Sequence, residues 1–265
     1  MDYDIGIVRR RRIISADDCY FAVPPPSGWT PASLTNLLGW YKADGTLLNG
    51  SSNPAVNNDL LSQWNDESGH GNHLLAQNIS AFSTGKYLTA GLNSKKTVSF
   101  LSSNSATMLT AATVALGGTK GSCYLYGSVP STATAFRYIA AYAAPAQGFA
   151  GTNGCAWVQL SSPTTTIAAN SGGFKGTGTI ANDTGTRFGS IFDGTNSTVA
   201  INGVLQTGSQ AAASPTFTTG GRFAVSGDSD VPNGTDSFIS EIVVTASDLS
   251  GGELALLDTW MTRWN

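Results

Sequence analysis

Charge is scarce in this sequence. Asp, Glu, Lys and Arg make up 12% of its 265 residues, about half the usual share. The net charge of −3 gives no global field toward nucleic acid or an anionic membrane. Glutamate occurs only as Glu67, Glu241 and Glu253, histidine only as His70 and His73, and cysteine only as Cys19, Cys123 and Cys155. The cysteines form neither C-x-x-C nor a zinc ligand set. Three reduced, partly buried thiols are expected, with one bridge plus a free thiol as the alternative. No apolar run approaches a membrane span, so no membrane insertion is expected. No apolar h-region follows Asp2 and Asp4, so the chain is read as made in the cytosol without a secretory leader.

Catalytic patterns are also missing. There is no G-x-S-x-G and no P-loop. The "GTGT" stretch at 176–179 lacks the third glycine and the helix of a dinucleotide site. Glycoside hydrolysis needs two carboxylates at a fixed separation, and no E-x-D-x-E is present. Asp228 and Asp230 are the nearest pair, in the turn-rich "GDSD". From these absences the chain is expected not to be an enzyme, with a glycoside hydrolase as the least favoured reading.

What is present is β structure. Hydrophobic residues reach 41% with six Trp, enough apolar surface for a core. Short runs such as "LLGWYKA", "KTVSFL", "SCYLYGSV", "FRYIAAY", "AWVQL", "STVAING" and "SFISEIVVT" sit between Gly, Asn, Asp, Ser and Pro clusters. Asp193-Gly194 and Asn202-Gly203 accept positive φ cheaply and predict turns. No βαβ rhythm appears, so the fold class is all-β, a two-sheet antiparallel sandwich or jelly roll. One helix is expected at the C-terminus, in "LSGGELALLDTWMTRW". There Ser250 and Glu253 have capping-box spacing, and Leu254, Leu257, Met261 and Trp264 form an apolar stripe.

Residues 1 to 30 read as an extended arm and 31–265 as the body. The arm carries Arg9, Arg10, Arg11 and Arg12, then Pro24, Pro25 and Pro26, a run that favours stiff polyproline II. Asp2, Asp4, Asp17 and Asp18 balance the arginines. The arm is therefore expected to dock a protein partner rather than nucleic acid, whose binding needs net positive charge.

Five stretches occur together in order: "WTPASLTNLLGWYKAD", "QWNDESGHGNHLLAQ", "KKTVSF", "FDGTNSTVAING" and "ISEIVVTASDLSGGELALLDTWMTRW". In this set the chain resembles the laminin-G-like, concanavalin A-like jelly-roll domains of bacterial surface proteins and bacteriophage virion proteins. The resemblance implies two antiparallel sheets, one concave and able to hold a saccharide, with a closing helix. Trp40, Trp64 and the strand through Glu241 would then belong to the structural frame.

Three sets of residues remain as candidate sites. The loop at 63–77 places Asp66, Glu67, His70 and His73 together. Its glycines keep the histidines off a shared helical face, so Asp66, Ser68 and Asn72 are expected to fasten the loop while Trp64 anchors it. No cofactor is expected; a structural Ca²⁺ at Asp66 with loop oxygens is the alternative. Tyr124, Tyr126, Tyr138, Tyr142 and Trp157 lie in central strands and are the candidates for stacking on a sugar. Particle docking falls to the arm. The expected role is a virion structural, decoration or attachment protein of a bacteriophage. It would be assembled in the host cytoplasm, bind other capsid or tail proteins through the arm, and form a homo-oligomer. The alternative is a lectin-like module for host surface polysaccharide, a role that can be combined with the first.

Overall fold

A computed structural model describes residues 25–76, 84–101, 107–114, 116, 118–133, 137–143, 155–160, 166–170, 174–206, 217, 220–227, 234, 236–249 and 251–265. The strands run in chain order as β1 (Leu37–Lys42), β2 (Leu47–Asn49), β3 (Leu61–Trp64), β4 (Leu74–Ala76), β5 (Lys86–Leu88), β6 (Thr97–Phe100), β7 (Met108–Thr110) and β8 (Lys120–Ser128). They continue as β9 (Arg137–Ala143), β10 (Cys155–Leu160), β11 (Thr166–Asn170), β12 (Phe174–Thr179), β13 (Thr186–Asp193), β14 (Ser197–Ile201), β15 (Val204–Leu205), β16 (Arg222–Val225) and β17 (Ser237–Thr245). One α-helix, α1 (Gly252–Met261), follows among the described residues.

These strands form two antiparallel sheets. One has the order β15-β14-β13-β8-β17-β6-β5, with β1 also paired to β17; the other runs β12-β11-β10-β9-β16-β7-β4-β3-β2. The all-β sandwich with a closing C-terminal helix is thus the architecture of the body. Strand alternation sorts the first sheet. Across β17 and β8, Ile242 pairs with Leu125 and Val244 with Cys123, whereas Glu241, Val243 and Thr245 pair with Tyr126, Tyr124 and Ser122. The first set turns into the sandwich. Tyr41, next to it on β1, stacks on Phe223 of the facing sheet at 5.8 Å and meets Trp64 edge-on at 6.2 Å. The second set faces outward: α1, whose buried residues are Leu254, Leu257 and Met261, reaches Tyr124 and Glu241 through Asp258 and Trp260, and the β5–β6 turn reaches Tyr126 through Asn93.

Glycine supplies room where aromatic rings cross strands. A Cβ at Gly39 would meet the Tyr41 ring, one at Gly189 the Tyr124 ring, and one at Gly221 the Tyr142 ring. Each ring therefore lies flat over a bare stretch of backbone, a packing that only a missing side chain permits. Turn chemistry follows the sequence as well. Asn202 and Gly203 take φ of 49° and 76°, and Gly194 takes 99°, as tight hairpin turns require.

Local details differ from expectation at both ends. Ser250 lies outside the described residues, and the position before α1 is Gly251 (φ 55°), with no side-chain cap. Glu253 accepts a hydrogen bond from the backbone N–H of Thr35 at 3.3 Å, and its expected bond to Ser250 lies outside the described residues. Arg9, Arg10, Arg11, Arg12, Cys19 and Pro24 lie outside the described residues. The proline run ends in a turn: the Trp29 N–H donates to the Pro26 carbonyl at 2.9 Å, with Gly28 at φ 84°.

Candidate functional site

The glycine-rich loop after β3 is a knot of hydrogen bonds. Asp66 Oδ1 accepts from the backbone N–H groups of Trp40 and Ser68, both at 2.9 Å. Its Oδ2 accepts from Ser68 Oγ at 2.7 Å and the Asn72 N–H at 3.0 Å. Asn72 Nδ2 donates to the Leu38 carbonyl, and the Tyr41 hydroxyl donates to the Asn72 carbonyl. His73 Nδ1 accepts from the Asp66 N–H at 3.1 Å. Trp64 is fully buried, and its indole N–H donates to the Lys42 carbonyl at 3.1 Å. Four donors fill both Asp66 oxygens, so a cation there would have to displace N–H groups already in place. Among the described residues no three His, Cys, Asp or Glu gather as a metal site.

A second polar centre lies under the helix. Glu241, 0% exposed, accepts from the Trp40 and Trp260 indoles at Oε1, at 2.6 and 3.0 Å. Its Oε2 accepts from the Trp264 indole at 2.6 Å and from Arg263 Nη2 at 2.9 Å. The Arg263 guanidinium also lies over the Trp260 and Trp264 rings, 4.7 and 4.5 Å from their centroids. A buried carboxylate held by four donors is satisfied rather than reactive. The sequence shows Glu241 alone in an apolar strand but does not show that three tryptophans from two distant segments converge on it.

Three of the four tyrosines expected to stack on sugar, Tyr124, Tyr126 and Tyr142, are spent on the fold, which is a correction to that reading. Tyr124, Tyr126 and Tyr142 are each 0% exposed. The Tyr124 hydroxyl donates to Asp258 Oδ1 at 2.6 Å and accepts from the Gly203 N–H at 2.9 Å. Asp258 is also paired with Arg187 at 2.7 Å. The Tyr126 hydroxyl accepts from Asn93 Nδ2 at 2.7 Å, and the Tyr142 hydroxyl donates to the Val114 carbonyl at 3.1 Å. The cause is the same in each case: a ring on a strand crossed by α1, a turn or the facing sheet has no open face. Tyr138 is half-buried in β9; Trp157 lies in β10, with its side chain outside the described residues. Cys123 is a free, buried thiol, and burial pushes it well above the usual thiol range.

An open concavity among the described residues lies elsewhere. A groove of about 320 Å³ is lined by Asp44, by Thr89, Ser94, Lys95 and Lys96, and by Arg263 and Trp264. Three elements build it. The β1–β2 turn presents Asp44 and is held by Glu67, whose Oε1 accepts from the Thr46 N–H at 3.1 Å. The β5–β6 turn presents the lysines, and the turn after α1 presents Arg263 and Trp264. Arg263 Nη1 also reaches Asp44 at 3.0 Å, so the groove wall is stitched to the Glu241 centre. The volume lies at the lower end of ligand pockets, about 300–1,000 Å³.

No family model and no curated protein matches the chain. Solved structures do. Domain 4 of AbnA, an extracellular GH43 arabinanase from Geobacillus stearothermophilus solved with arabinotriose, is similar at TM-score 0.56 and 15% identity, over 84% of this chain and 98% of that one. A Trypanosoma rangeli sialidase in complex with the inhibitor DANA gives 0.58 and 11%, with 92% of this chain covering 36% of the sialidase. A GH54 α-L-arabinofuranosidase gives 0.55 and 14%, over 86% of this chain and 60% of that one. These neighbours correct the expectation that the chain is not an enzyme. Its fold recurs in chains of glycoside hydrolases and sialidases, so missing sequence motifs do not exclude catalysis. At such identities the likeness establishes one thing about this chain, its β-sandwich fold.

Proposed function

We propose that the body is a saccharide-binding module whose ligand lies in the groove between the β1–β2 turn, the β5–β6 turn and the C-terminal turn. One observation carries the reading. Hydroxyl, carboxylate and ammonium groups line one open concavity together with Trp264, while His73, Tyr124, Tyr126 and Tyr142 are occupied elsewhere. A sugar needs such convergent donors and acceptors on a rigid frame. A domain of similar fold and nearly matched extent was solved with arabinotriose, which supports looking for a saccharide first. The test is titration with neutral and acidic oligosaccharides while amide and indole N–H signals are followed by NMR. Shifts centred on Trp264 and residues 94–96 are expected. Affinities weaker than about 1 mM for every glycan, or shifts centred on another surface, would sink the assignment.

A second reading concerns display on a particle. Trp29 packs edge-on against Trp260 at 6.2 Å, so the segment leading into the body is fastened beside the C-terminal helix. Residues 1–30 would dock the chain to other virion proteins or to a sister copy, with the body outward, on a bacteriophage particle. Deleting residues 1–24 spares the Trp29 contact and should leave a body with unchanged melting temperature that no longer joins the particle. Normal incorporation of the truncated chain would refute the anchor.

A further inference from the structure

The groove's charge narrows the class of saccharide. Its lining holds three cationic side chains, Lys95, Lys96 and Arg263, against one carboxylate, Asp44. Arg263 is already committed, to Asp44 through Nη1 and to Glu241 through Nη2. That leaves Lys95 and Lys96, both exposed, with no carboxylate partner among the described residues. The local surplus stands in a chain whose net charge is −3, so an anion is drawn to this groove in particular.

The lysines are also presented rigidly. The Gly91 N–H donates to the Lys95 carbonyl at 2.8 Å, and the Lys95 N–H to the Leu92 carbonyl at 2.9 Å. Thr97 Oγ1 accepts from the Leu92 N–H and donates to the Lys95 carbonyl, while Asn93 is tied to Tyr126 from below. Asn93 and Ser94 sit at φ of 51° and 58°. Left-handed backbone at a non-glycine residue such as Ser94 costs free energy and persists where the surroundings over-determine it. The turn thus fixes the backbone that carries the two lysines at the rim, while their exposed side chains order only on binding. Resting on the saccharide reading above, we infer that the groove takes an acidic saccharide. In this assignment a carboxylate or sulfate on the sugar meets Lys95 and Lys96, and its hydroxyls meet Asp44, Ser94 and Thr89. The Arg263–Asp44 pair forms the wall and is not broken by the ligand.

The experiment compares oligosaccharides matched in size. Calorimetry would use the full chain with a galacturonate trimer, sialyllactose and a sulfated galactose trimer that carries no carboxylate, against an unsulfated galactose trimer as the neutral control. Each is run at low and high salt, and with the double variant Lys95→Gln/Lys96→Gln, whose sites are exposed and outside the core. At least one acidic ligand should bind about tenfold more tightly than its neutral control. That advantage should vanish in the variant and shrink with added salt, as screened charge pairs require. The carboxylated and sulfated ligands distinguish the two anion sources. A neutral glycan bound equally well, with NMR shifts at the groove, overturns the acidic assignment and leaves the saccharide reading intact. Acidic binding unaffected by the double variant overturns the groove as the site. Absence of binding to either class overturns both.

Discussion

Glu241 shows how much one side chain can organise. Its carboxylate accepts from β1 through Trp40, from α1 through Trp260, and from the last turn through Trp264 and Arg263. Glu241→Gln keeps the shape but places an amide N–H₂ against groups that are themselves donors. A buried donor left facing a donor is costly, and breaking a buried charge pair is more so. The variant should lose about 3 kcal/mol of unfolding free energy by urea titration; a loss under about 1 kcal/mol would show that the indoles find other acceptors. Asp66→Ala should cost a similar amount, about 2–3 kcal/mol, because it strands backbone N–H groups of Trp40, Ser68 and Asn72. If Asp66 serves only those donors, EDTA should leave the wild-type melting temperature unchanged, whereas a fall on chelation would reveal a bound cation. The bare sequence offered a carboxylate amid tryptophan-rich ends as the signal for this centre. It could not say which face of β17 the glutamate would take, since that depends on pairing across some 200 residues, from Trp40 to Glu241.

At the scale of elements, strands were legible and their partners were not. Runs such as "SCYLYGSV" and "SFISEIVVT" become β8 and β17 because β-branched and aromatic residues suit a pleated, buried surface. The spacing of Tyr124 and Tyr126 correctly puts them on one face, but alternation is silent on what covers that face. Here α1 and the β5–β6 turn cover it, which turned candidate ligand platforms into core. "FKGTGT", too glycine-rich to read as a strand, forms β12. The glycine content makes sense at this level. At Gly189 a Cβ would run into the Cys123 carbonyl and the Tyr124 ring, so Gly189→Ala forces β8 and β13 apart. The expected cost is about 3 kcal/mol, with loss of near-ultraviolet circular dichroism from Tyr124. A variant as stable as the wild type would mean that the ring can shift without penalty.

The whole molecule answers to pH through a few groups. Burial pushes the Tyr41 phenol well above its usual range, with the Asp66 charge adding to it, and burial does the same to Tyr124 beside Asp258. An acid raised on folding contributes stability that is complete below its unfolded value, about 10 for tyrosine, and lost as pH climbs toward the folded one. On the acid side, hydrogen bonds from the Val56 N–H and Asn49 hold Asp59 below the ordinary range. At Asp193 burial pushes upward, but the Asn196 and Thr195 N–H groups outweigh it. Their contribution is present above the unfolded aspartate value of about 3.9 and disappears as pH falls through the lower folded values. The urea midpoint should therefore hold level between about pH 5 and 10 and decline on both sides. A decline beginning near pH 7 would point to other groups. The groove was not legible in the sequence, because Asp44, Lys95, Lys96 and Arg263 come from three separate segments that only the sandwich brings together.

That assembly has a consequence for synthesis. Among the described residues the first strand, β1, finds its ladder only in β17, and one wall of the groove is Arg263 and Trp264. A nascent chain emerging from the ribosome must therefore keep Leu37–Lys42 waiting until about two hundred further residues have appeared. On the proposed saccharide reading, the site is complete only once Arg263 and Trp264 have emerged.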